Sequence, residues 1–225
     1  MLRVFGPGLY AADGPTVSFM TFPYPTRMAV AKLEDGSTWV WSPVALSPEL
    51  ESAVAAIGPV RHIVFPNKLH HLFAGEWIER WPEARVYAPP GLAAKRSDLH
   101  FHAELSDRPD PAWADQIEQV VFRGSFALEE VVFFHRASRT AIVCDLVQRL
   151  ARAKGLKGMV MRLDGLVGEY GSTPREWRAS FLRRGAARAA RERLLGWAPE
   201  RLLIAHGACA QEDAAAILAR ALAWM

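Results

Sequence analysis

Cysteine, lysine and long apolar runs are all scarce in this chain, and each scarcity excludes a class of protein. Cys144 and Cys209 are its two cysteines, too few for a disulfide framework, so a reducing, cytoplasmic setting is expected. No run of about 18 or more apolar residues occurs, which excludes a transmembrane helix and any membrane partner of that kind. The opening stretch "MLRVFGPGLYAADGP" has no basic segment ahead of an apolar core, so no signal peptide is expected. Internal repeats, low-complexity tracts and linkers are absent too. Lysine occurs only at Lys32, Lys68, Lys95, Lys154 and Lys157. The pI of 9.1 is therefore an arginine effect, and a net charge of +3 gives no reason to expect a nucleic-acid partner. What remains is a globular composition, 51% hydrophobic and 23% charged over 225 residues. One domain over residues 1–225 can bury a full core at that size.

Turn and cap signals divide the chain. "TVSFMTF" and "MAVAKLEDGSTWVWSPVAL" predict strands, the second folded back at Asp35-Gly36. Ser47-Pro48-Glu49 predicts a helix start, with the serine as cap and the proline in the first turn. "HIVF" reads as a short buried strand, Gly75–Trp81 as a helix, and "RVYA" as a strand. "LHFHAEL" alternates as a half-exposed strand would. "QVVFRGS", "EEVVFFH" and "TAIVCDL" predict three more strands. Thr173-Pro174-Arg175-Glu176 has the form of a capping box and predicts one Arg- and Ala-rich helix to about Leu195. "RLLIA" predicts the last strand, and Gln211–Trp224 the last helix. Strand–helix alternation is incomplete, which predicts α/β layers built on mixed sheets.

Three of these strands end in residues able to hold a metal. "HIVF" is followed by His70 and His71, "TAIVC" by Asp145, and "RLLIA" by His206. Sites in α/β sheets gather outside the carboxyl ends of strands, and imidazole with carboxylate suits zinc, iron or manganese. A lone histidine after a strand commonly fills a core or caps a helix, and an aspartate there is commonly a cap. The coincidence of three strand ends is what favours a metal. His62 lies at the wrong end of its strand. His100 and His102 share a strand face, and His135 leads into a turn. A Cys–His dyad is the weaker alternative, and neither cysteine is assigned as a nucleophile.

The order of these features resembles the metallo-β-lactamase superfamily over nearly the whole chain. "VFGPGLYAADGP" is similar to its opening strand and turn. "GSTWVWSPVALSPEL" is similar to the hairpin that precedes its first helix. "IVFPNKLHHLFAGEWIERWP" stands where the family carries a His-x-His-x-Asp-His signature, and "TAIVCDL" and "LLIAHG" stand where it carries a bridging aspartate and a last histidine. The likeness is to bacterial members with a Pro-Asn-x-x-His-His core. The resemblance implies an αββα sandwich with the site at one edge of the two sheets.

Carried over residue by residue, the resemblance implies a damaged signature. His71 takes its last place and His70 the place of its aspartate. Lys68 and Pro66 replace its two earlier histidines, or Asn67 does at a register shifted by one, and Ser125 replaces the middle histidine. The first metal site is then dismantled. The second keeps His70, His71, Asp145 and His206, with His70 the member expected to stand behind the others, since catalysis needs an open position. One divalent ion is expected, zinc before iron or manganese, or none at all in a non-catalytic descendant. Asp145 and Lys68 are the candidate catalytic residues, Lys68 holding an anionic group of a small-molecule substrate where a cation was lost, against the plainer reading of Lys68 as a solvent-facing turn lysine. The activity implied is that of a metal-dependent hydrolase. A binding or scaffold protein is the alternative, and a nucleic-acid processor using the arginines between Arg175 and Arg191 is a third. A homo-oligomer is compatible with all of these.

Overall fold

A computed structural model describes residues 1–19, 22–151 and 155–225. The amino-terminal part contains β1 (Arg3–Gly6), β2 (Leu9–Asp13), β3 (Val17–Phe19), β4 (Phe22–Tyr24), β5 (Arg27–Lys32) and β6 (Thr38–Trp41). Then come α1 (Pro48–Ala55), β7 (Val60–Val64), α2 (Ala74–Arg80), β8 (Arg85–Ala88), α3 (Leu92–Lys95) and β9 (Ala103–Glu104). The second half has β10 (Ile117–Phe122), β11 (Glu130–His135), β12 (Thr140–Val143), α4 (Gly155–Leu163), α5 (Arg175–Ser180), α6 (Arg184–Gly196), β13 (Arg201–Ile204) and α7 (Ala214–Ala221). Among the described residues no helix is long and apolar enough to cross a membrane.

A seven-stranded sheet in the order β1-β2-β5-β6-β7-β8-β9 faces a four-stranded sheet in the order β10-β11-β12-β13. Both faces of each sheet are covered, so the strands read as continuous apolar runs and alternate residues serve different cores. In β6, Trp39 and Trp41 point between the sheets while Val40 points outward. In β12, Ile142 points between the sheets while Ala141 and Val143 point outward. The outer face of the larger sheet is covered by Leu50 and Val54 of α1, Trp77 of α2 and Leu92 of α3. That of the smaller sheet is covered by Ala187, Ala190 and Leu194 of α6, with Ile217 and Leu218 of α7. This is the expected four-layer αββα sandwich.

Local chemistry accounts for most boundaries. Ser47 Oγ accepts the Leu50 amide at 3.2 Å and caps α1. Gly36, at φ 82°, turns β5 back onto β6. The expected single helix from Thr173 is corrected to α5 and α6, separated at Phe181–Arg183. Thr173 does not cap it: its hydroxyl donates to the Leu146 carbonyl at 2.6 Å and accepts Trp224 Nε1 at 3.0 Å. The strand expected at "LHFHAEL" contracts to Ala103–Glu104, since the His102 ring accepts the Val86 amide at 3.0 Å and ends the pairing. The strand expected at "TVSFMTF" is the β3–β4 pair, with Met20 and Thr21 outside the described residues. In α6 Ala187, Ala190 and Leu194 are buried. Its arginines lie over the structure, with Arg184 above Trp224 and Arg193 above Trp197.

Candidate functional site

Parallel pairing sets the site. Trp41 of β6 pairs with Val64 of β7, and Val143 of β12 pairs with Ile204 of β13. The residues just past these strands therefore emerge side by side: Ser42, the Pro66-Asn67 turn, Asp145 and His206. Beyond His206 the chain turns sharply at Gly207, whose φ is +106° and where a Cβ would sit 2.0 Å from the Arg149 carbonyl oxygen. Only glycine fits that approach. Arg27 holds the same turn, donating from Nη1 to the carbonyls of Ile204 at 2.5 Å and Gly207 at 2.8 Å.

Asn67 separates the two adjacent histidines. It is fully buried, and its Oδ1 accepts the amides of Leu69 at 2.9 Å and His70 at 3.2 Å. This turn sends the two rings to different places. The His70 Nε2 lies 3.0 Å from His206 Nε2 and 3.4 Å from Asp145 Oδ2. His206 Nε2 lies 3.1 Å from Asp145 Oδ1. His71 instead accepts Arg96 Nη1 on its Nδ1 at 2.9 Å. The structure thus assembles His70, Asp145 and His206, and corrects two expectations: His70 is in the cluster rather than behind it, and His71 is outside.

The donor set could hold one divalent ion. Three bonds of about 2.0–2.1 Å in tetrahedral array place their ligand atoms about 3.3 Å apart, and the three separations here are 3.0, 3.1 and 3.4 Å. Both rings are also fixed from behind. His206 Nδ1 donates to the Pro25 carbonyl at 2.6 Å, and His70 Nδ1 meets Ser42 Oγ at 2.8 Å. In the neutral tautomer that the Pro25 contact selects, the Nε2 lone pair of His206 faces the cluster. Two such lone pairs at 3.0 Å repel unless a proton or a cation lies between them. Ser42 itself has φ 49°, unusual for a residue with a Cβ, and such strain gathers at functional sites.

Behind Asp145 the structure is sealed. Asn67 Nδ2 donates to Asp145 Oδ2 at 2.8 Å and to Glu130 Oε2 at 3.2 Å. Glu130, fully buried at the start of β11, accepts the amides of Cys144 at 2.8 Å, Asp145 at 2.7 Å and Leu146 at 3.0 Å. Its carboxyl is pushed up to about 7 by burial and by the charge of Asp145, against the pull of those amides. Burial also raises Asp145, but His70, His206 and Asn67 outweigh it and hold Asp145 well below the usual carboxylate range. Burial lowers His70 to about 4. Burial opposes protonation of His206 too, yet its bond to Asp145 holds it above the ordinary histidine value. Cys144 is buried, its thiol pushed well up by burial, which makes it inert as a nucleophile. Its Sγ still lies within 4.8 Å of donor atoms of His70 and Asp145.

The cluster forms the floor of a cavity of about 570 Å³, which Ser42, His70, Asp145 and His206 all line. Lys68 and His71 are not on its wall. The Lys68 ammonium lies against Gly91, where an added Cβ would be 2.9 Å from Nζ. The expected role of Lys68 in the site is therefore not supported by its position. Ser125 is also elsewhere, its hydroxyl paired with Ser180 Oγ at 2.6 Å. Ser42 and Glu130 were not foreseen from sequence. A Ser-Pro after a strand and a lone acid opening an apolar run are common in ordinary loops, so neither carries a strong signal.

This architecture is the metallo-β-lactamase fold. A metallo-β-lactamase from Hirschia baltica matches at TM-score 0.64 and 12% identity, over 100% of this chain and 96% of that one. The metallo-β-lactamase FIM-1 from Pseudomonas aeruginosa, solved in a mono-zinc form, matches at TM-score 0.64 and 12% identity, over 99% of this chain and 94% of that one. Rubredoxin oxygen:oxidoreductase from Desulfovibrio gigas matches at TM-score 0.66 and 14% identity, over 100% of this chain but 60% of that one. No curated protein matches the sequence. Within the fold, the chain belongs to the family described as "Domain of unknown function (DUF4336)", which matches residues 16–155. That span includes Ser42, Asn67, His70, Glu130 and Asp145, and stops short of His206.

Proposed function

We propose that the chain is a mononuclear metal-dependent hydrolase acting on a small molecule, with His70, Asp145 and His206 as the ligands of one zinc ion. The convergence of two Nε2 atoms and a carboxylate within 3.0–3.4 Å at the floor of a cavity carries this reading. Three protein ligands with an open side toward the cavity suit a catalytic site, whereas four would close it. When bound, the ion supplies a water of pKa near about 7 and polarises the scissile carbonyl. The chain's own residues do the rest. Ser42 and Pro25 fix the two imidazoles, and Asn67 fixes the Asp145 carboxylate. Burial keeps Tyr24, on the cavity wall beside His206, in its neutral phenol form by raising it to about 12.

The reading is tested by assaying hydrolysis of neutral esters and lactones by protein stripped with a chelator and then reloaded with zinc. Activity that vanishes on stripping, returns on reloading and is absent from His206→Ala supports it. Zinc that binds with no turnover of any ester, lactone or amide would make the chain a binding protein on a hydrolase fold, the alternative favoured by the sealed Asn67–Glu130 side.

A further inference from the structure

The cavity above the cluster is chemically one-sided. Its walls are formed by Tyr24, Val44, Leu69, Phe73, Met161 and Trp177. Among the described residues its charged lining is Asp145, Asp164, Glu176 and Lys95. The Lys95 ammonium already donates to the Lys68 carbonyl at 2.8 Å. Away from the three candidate ligands the described wall is mainly apolar, with Ser18, Thr26 and Gln148 as neutral polar groups and Asp164 facing Arg175 at 3.7 Å, so it presents no cluster of cations to an anionic substituent. The mouth continues the apolar character outward. Leu72, 65% exposed, and Val160, 45% exposed, both line the cavity. On α4 beside Val160, Met159 is 52% and Leu163 61% exposed. Large apolar side chains grouped at the mouth of a cavity mark a place where apolar ligand enters.

We infer that the substrate is a neutral carbonyl compound with an extended alkyl or aryl body, such as a lipophilic ester or lactone, its carbonyl over His70 and His206 and its apolar body along Leu69, Phe73 and Trp177. This rests on the hydrolase reading for the chemistry, but the recognition it describes is independent of turnover. It departs from the anionic ligand that Lys68 suggested from sequence, because Lys68 faces Gly91 and not the cavity.

Binding to the zinc-stripped protein tests the recognition alone. Methyl alkyl ketones of increasing length, which present a carbonyl but cannot be hydrolysed, are titrated by calorimetry beside carboxylates and alkylamines of matched length. The dissociation constant of the ketones is expected to fall about fourfold per added methylene until the cavity is filled, with each ketone at least about tenfold tighter than its carboxylate. Leu72→Glu and Val160→Glu, both at exposed positions that the fold tolerates, should weaken long ketones and spare short ones. Val4→Glu, exposed on β1 and outside the cavity, should change nothing. Affinity independent of chain length, or tighter binding of the carboxylates or amines, would overturn the inference. Length-dependent ketone binding without zinc-dependent ester hydrolysis would leave it standing and sink the catalytic reading, while hydrolysis confined to short or anionic esters would do the reverse.

Discussion

The two sides of Asp145 have opposite chemistry. Toward Asn67 and Glu130, carboxylate oxygens meet N–H donors: three backbone amides on Glu130 and one side-chain amide bridging both acids. Every acceptor there has a donor. Toward His70 and His206, the oxygens of Asp145 meet two imidazole nitrogens at the floor of a cavity. The first side is satisfied by the protein itself. The second is short of a positive charge unless a proton or an ion supplies it. The difference teaches that a carboxylate can be held by neutral donors or face groups that call for a cation, and that Asp145 has one environment on each side.

The largest expected effect comes from breaking the sealed side. Glu130→Ala would leave three backbone amides without acceptors and take from Asn67 one of its two carboxylate partners, at a cost of about 3–5 kcal/mol. Urea unfolding should show this as a large drop in midpoint, and a loss under about 1 kcal/mol would show that these contacts matter little. Breaking the open side should act differently. Ser42→Ala removes the group behind His70, and zinc affinity should fall about 10–100-fold with a smaller change in stability. Competition with a chromogenic chelator reads that change directly.

A histidine away from the cluster sharpens the contrast by pH. His135 is buried against Ser138, and burial lowers it to about 4. A histidine depressed in the folded state binds its proton more readily when unfolded, so it favours folding at neutral pH and the advantage is lost as pH falls from about 6.5 toward 4. Between pH 7 and 5 this one residue should remove about 2 kcal/mol of stability, and the slope should flatten in His135→Gln. The smallest effects belong to residues beside the site but outside it. Lys68→Met and His71→Gln should shift stability by no more than about 0.5 kcal/mol and leave zinc affinity unchanged.

How far the sequence was legible follows from these contrasts. Strands such as "RVYA" and "RLLIA" were readable because β8 and β13 are buried on both sides and sit between strong turn signals. Asp145 and His206 were readable because parallel pairing makes the end of one strand predict the place of the next. The choice between His70 and His71 was not, since it depends on the Asn67 side chain accepting two amides and so turning one ring inward. Lys68 was misplaced for the same reason, its direction being set by that turn and by the room beside Gly91. Glu130 was invisible because its partners are backbone amides of Cys144, Asp145 and Leu146, distant in sequence and identical in every residue but proline.

In the proposed site His70, Asp145 and His206 hold one ion, and the Asn67–Glu130 side holds none. Zinc stoichiometry on stripped and reloaded protein tests it most directly, measured on the wild type beside His206→Ala and His71→Ala. The account predicts one tightly held zinc per chain in the wild type and in His71→Ala, and none in His206→Ala. Two zinc ions per wild-type chain, or loss of the ion on removing His71 and not His206, would contradict it.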